Sequence, residues 1–121
     1  MNLQEHTNNI LTKTNYNTNC HGLQAIDSAT EIAKYYFNQE NISFDNWRIR
    51  EIPLVDNSGK YPVVIGICIT NSILRKEITI YLTKEGNLSG YTCYDEHYNE
   101  YDFNSIYDAI NHPSSNYMNH Q

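Results

Sequence analysis

The segment 61–70, YPVVIGICIT, constrains this chain more than any other. Val63, Ile65, Ile67 and Ile69 alternate there with Val64, Gly66, Cys68 and Thr70. Successive side chains of a strand point to opposite faces, so one face is branched and aliphatic and the other is small. Branched side chains lose rotamer freedom in a helix but fit a pleated surface. The segment is predicted to be a central strand whose branched face must be covered by another layer.

Neighbouring segments supply the rest of a sheet. Residues 77–83, EITIYLT, place Ile78, Ile80 and Leu82 on one face, and residues 88–94, LSGYTCY, form the next strand. Residues 46–55 carry Trp47, Ile49, Ile52, Leu54 and Val55, with Pro53 marking an edge or a bulge. Asp56-Asn57-Ser58-Gly59 and Lys84-Glu85-Gly86-Asn87 read as turns. Connections this short and polar favour an antiparallel meander.

A helix over about 24–39 provides the cover. Ala25, Ile26, Ala29, Ile32, Ala33, Tyr36 and Phe37 make one apolar stripe, and Ser28-Ala29-Thr30-Glu31 matches a capping box. A short helix over about 103–111 follows the sheet, capped by Asp102 and ended by His112-Pro113. Residues 1–20 read as a poorly ordered lead-in and 114–121 as a polar tail. The expected fold is α+β in a single domain, 1–121: one main N-terminal helix on a four-stranded antiparallel meander, with a short C-terminal helix.

Charge is uneven along the chain. The formal net charge is −6, and residues 85–121 contain six acids with no Lys or Arg. A phosphate backbone would be repelled there, so nucleic acid is not an expected partner, whereas a basic protein surface is. No run approaches the roughly 20 apolar residues of a membrane span, and no basic and then apolar leader opens the chain. The three Cys are odd in number and lack zinc-finger spacing. Reduced thiols, a cytoplasmic location and no metal or cofactor are the expectation.

Two segments carry candidate chemistry. Asn19-Cys20-His21-Gly22 precedes the main helix, and a thiol at a helix N-terminus has a lowered pKa. A thiol enzyme using Cys20 with His21 or His97 is the alternative reading, although the four predicted strands contain no His for a catalytic dyad. The second segment joins five of the eleven Tyr to most of the C-terminal acids. Tyr rings give contact area with a polar tip, and carboxylates steer a basic partner. Tyr91, Tyr94, Asp95, Glu96, Tyr98, Glu100, Tyr101 and Asp102 are the predicted partner-binding residues. The same segment lacks the ligand rhythm and central Gly of a calcium loop.

The span from Ala25 to Tyr94 resembles small bacterial immunity-type proteins and PepSY-like inhibitory domains. The likeness rests on the helix pattern Ala25-x-x-x-Ala29-x-x-Ile32-Ala33-x-x-Tyr36 ahead of a meander. It also rests on the strand Ile78–Leu82 running through Thr83-Lys84 into the acid-Gly turn at Glu85-Gly86. The resemblance implies a non-enzymatic module that binds or blocks another protein.

Overall fold

The computed structural model describes residues 3–13, 23–55, 64–83 and 85–116. The chain is α+β with an antiparallel sheet. Two helices, α1 (Leu3–Lys13) and α2 (Leu23–Gln39), precede the strands β1 (Trp47–Glu51), β2 (Leu54–Val55), β3 (Val64–Asn71), β4 (Lys76–Thr83), β5 (Leu88–Tyr94) and β6 (Glu100–Phe103). The short helix α3 (Ile106–Asn111) and a 3-10 turn, Pro113–Ser115, follow.

The sheet order is β1-β3-β4-β5-β6, with β2 also paired to β3. The expected strand over 46–55 is thus broken in two on one edge. A register shift between Ile49 and Glu51, then Pro53, interrupts the pairing. The Asp56–Gly59 turn lies outside the described residues.

The branched face of β3 lies where its alternation put it. Ile65, Ile67 and Ile69 are fully buried, and so are Ile78 and Ile80 of β4. Ile67 pairs with Ile80 and Ile80 with Tyr91, so the inward face continues across three strands. Ala25, Ala29, Ile32, Ala33 and Phe37 of α2 close the same core. Phe37 adds edge-to-face contacts with Phe44 at 5.0 Å and Trp47 at 5.3 Å.

Several expectations are corrected. First, 3–13 is a helix, not an unstructured lead-in. Its stripe is Leu3, Thr7 and Ile10, and Thr7 is buried because its hydroxyl donates to the Leu3 carbonyl at 2.7 Å. The helix seats on the β4–β5 turn, where Gly86 takes a φ of 88° and a Cβ would lie 2.9 Å from Thr7 Oγ1. Second, Ser28 caps nothing. The second helix starts at Leu23, and Ser28 is buried beneath α1, 3.3 Å from both His6 Nδ1 and Asn9 Nδ2.

Third, a further strand, β6, takes up Phe103, so the last helix starts later than expected. Ser105 is its N-cap, accepting from the Asp108 amide at 3.1 Å, in place of Asp102. Glu40, just past α2, accepts the free amides of Ile106 at 2.8 Å and Tyr107 at 3.1 Å. The supposed polar tail is in part interior: Ser114 and Ser115 are buried, and Asn116 bridges to Lys76.

Candidate functional site

All three helices lie on one side of the sheet, since their buried residues share the core of Ile67, Ile80 and Tyr91. Among the described residues no helix covers the opposite face. Register places Cys68, Thr79, Thr92 and Asp102 in one row across it, and Thr70, Glu77, Tyr94 and Glu100 in the next. Gly66, Tyr81 and Gly90 form a third row. The absence of side chains on both sides of Tyr81 leaves room for its ring to lean along the face. A Cβ on Gly66 would lie 2.8 Å from Pro53 Cγ and 3.1 Å from Tyr81 Cε1.

Tyr81 reaches diagonally over the Thr79–Thr92 pair, and its hydroxyl meets that of Tyr94 at 2.7 Å. Tyr94 in turn donates to Glu100 Oε1 at 3.2 Å. A carboxylate only accepts, so the chain runs from the Tyr81 hydroxyl to Tyr94 and on to Glu100. Burial pushes both phenols up, and the nearby Glu100 charge adds to it. Beside this chain, the Thr92 hydroxyl donates to Asp102 Oδ1 at 2.9 Å. Two carboxylates on one strand face are therefore each aimed by a neutral hydroxyl. Among the described residues neither forms an ion pair. At the far edge Arg50 pairs with Glu77 at 2.8 Å, and Glu77 is the main cause of the raised Arg50 pKa. Open grooves of about 470 and 380 Å³ flank the two tyrosines.

The β5–β6 loop is built around Asp95. Its Oδ1 accepts the amides of His97 at 2.8 Å and Asn99 at 2.9 Å; its Oδ2 accepts the Asn99 side chain at 3.1 Å and the Tyr101 hydroxyl at 3.2 Å. Desolvation works against the charge, but these hydrogen bonds hold the Asp95 carboxyl below its ordinary value. With Tyr98 at a φ of 62°, they form a tight turn that holds the Tyr98 side chain out at 77% exposure.

The predicted partner-binding residues are thus divided. Tyr94, Glu100 and Asp102 share the helix-free face, Tyr98 lines the groove beside Tyr81 and Tyr94, and Glu96 is exposed in the β5–β6 turn next to His97. Tyr91 is corrected: at 3% exposure it belongs to the core, and burial pushes its hydroxyl up to about 12. Asp95 is an internal loop anchor, its two oxygens already shared among four donors. Tyr101 points to the helix side, 4.9 Å from the His112 ring. The sequence reading missed Tyr81, although its outward parity in EITIYLT was the available signal.

His97 is exposed at the turn, 3.5 Å from Glu96, while Cys20 and His21 lie outside the described residues. The described thiols are Cys68 and Cys93, both buried and pushed up by desolvation to about 12 and about 11. Among the described residues no group of three or more His, Cys, Asp or Glu is placed to hold a metal ion, and no helix is long and apolar enough to cross a membrane. Both sheet edges are blunted: β6 is four residues long and carries Glu100 and Asp102, and β1 carries Arg48, Arg50 and a register shift. Such edges resist addition of a foreign strand. The chain matches no protein-family model, no curated protein and no solved structure.

Proposed function

We propose that this chain is a non-enzymatic protein-binding module, an inhibitor or immunity-type protein. It captures a basic surface of its partner on the helix-free face of the sheet. One observation carries the reading: Glu100 and Asp102 point the same way, each fixed by a hydroxyl donor and neither neutralised by a cation among the described residues. Two carboxylates held on one strand face present a negative field to which a cationic partner surface is complementary. Tyr81, Tyr94 and Tyr98 add ring surface beside the charges, the mixture that favours interface anchors. The surplus of acids in 85–121 extends the field around this face. Cytoplasmic residence fits the free, buried thiols of Cys68 and Cys93.

Capture from a lysate of the source organism tests the reading, with the full chain and its Glu100→Gln/Asp102→Asn variant as parallel baits. The wild type should retain a basic protein that the variant releases, and retention should fall as salt is raised. Identical proteins on both baits at every salt concentration would end the proposal.

A further inference from the structure

The turn between β3 and β4 displays the most exposed large aliphatic side chains of the described residues. Ile73 is 70% exposed and Leu74 56%. Their backbone is fixed. Asn71, itself buried, accepts the amides of Ile73 at 3.1 Å and Leu74 at 2.9 Å through Oδ1. Its Nδ2 donates to the Asp45 carbonyl at 3.4 Å, and Arg75 closes the turn at a φ of 59°. Across from the turn stands Tyr107 of α3, 65% exposed, over a groove of about 410 Å³. Ile42, Trp47 and Ile110 complete its apolar lining. Scattered apolar residues on a surface are ordinary, but a contiguous set around a concavity marks an interaction site.

We propose that this groove docks an apolar segment of a partner protein that carries Lys or Arg beside its aliphatic side chains. The aliphatic groups enter between Leu74 and Tyr107, and the cation meets Asp45. Charge decides the occupant. Among the described residues Asp45 is the single charged one lining the groove, so a basic flank is complementary to it. A second copy of the chain is disfavoured, because each copy carries −6 and each groove presents the same carboxylate. The site is separate from the helix-free sheet face and does not depend on the proposal made for that face.

Titration of the isotope-labelled full chain with a synthetic amphipathic Leu/Lys peptide, followed by NMR, tests this. A Leu/Glu peptide of equal length is the control. The Leu/Lys peptide should shift Ile73, Leu74, Tyr107 and Ile110 saturably and bind at least tenfold tighter than the Leu/Glu peptide. Leu74→Ser should weaken binding at least tenfold, the loss expected from one buried Leu side chain, with an unchanged melting temperature. Glu100→Gln/Asp102→Asn should leave the groove's affinity unaltered, which separates this site from the sheet face. Groove resonances that do not move overturn the inference, whether or not the sheet face responds. Equal binding of the two peptides overturns the charge argument. A dimer of the free chain that Leu74→Ser abolishes would make a second copy the occupant and overturn it equally.

Discussion

Replacing Glu40 by Ala should detach the start of α3 from the end of α2. The Glu40 carboxylate accepts two amides 66 and 67 residues further along, Ile106 at 2.8 Å and Tyr107 at 3.1 Å. Neither amide has a partner within its helix, since the first turn leaves its donors free. A hydrogen bond to a charged group contributes about 1.5–3 kcal/mol, and the bond to Tyr107 is exposed, so it sits at the low end. The negative charge at a helix N-terminus adds a few tenths of a kcal/mol to about 1 kcal/mol. The expected loss is about 3–5 kcal/mol, or roughly 10–20 °C in melting temperature for a domain of this length. Urea unfolding followed by circular dichroism would read it as a lower midpoint with an unchanged slope. Glu40→Gln keeps one neutral acceptor and should fall between wild type and Ala. An Ala variant within about 0.5 kcal/mol of wild type, the range of an ordinary surface change, would refute the reasoning.

Ile67→Ala and Ile80→Ala should each cost about 2–5 kcal/mol, because both side chains are fully buried in one cross-strand pair. The double variant should lose less or more than the two losses together, since neighbours in contact are not additive; strict additivity in urea melts would contradict the pairing. Tyr91→Ala should lower the melting temperature far more than Tyr98→Ala, and equal effects would mean that the division of the tyrosines is wrong. For the thiols, burial raises the folded pKa of Cys68 from 9.0 to about 12 and that of Cys93 from 9.0 to about 11. The folded state therefore keeps protons that the unfolded state releases above pH 9. The stability they contribute is complete below that pH and is lost as pH rises towards 11 and 12. Slow alkylation of both thiols at pH 8 should accompany this; modification at the rate of a free thiol would contradict it.

The sheet was legible because the branched residues of β3 and β4 keep strict alternation and the helix-covered face takes that parity, although Cys68 and Thr79 of the other parity are buried as well. What escaped was structure whose apolar signal is thin. The first helix buries a Thr in its stripe, made acceptable only by a bond to its own backbone. In β6, EYDF, three of the four residues are exposed, so no inward pattern marks it. Asn71 and Glu40 act over distances that spacing along the chain does not reveal. The candidate site was half legible. Composition located the acidic, Tyr-rich stretch, but only strand register separates Tyr94 and Asp102 on the helix-free face from Tyr91 in the core.

The central claim is that a protein partner seats on the helix-free face. Cross-saturation NMR on the labelled chain, with the captured partner as the saturated species, reports it most directly. The account predicts saturation at Tyr94, Tyr98, Glu100 and Asp102, with α1 and α2 unaffected. Saturation centred on α1 and α2, with those four residues silent, would contradict it.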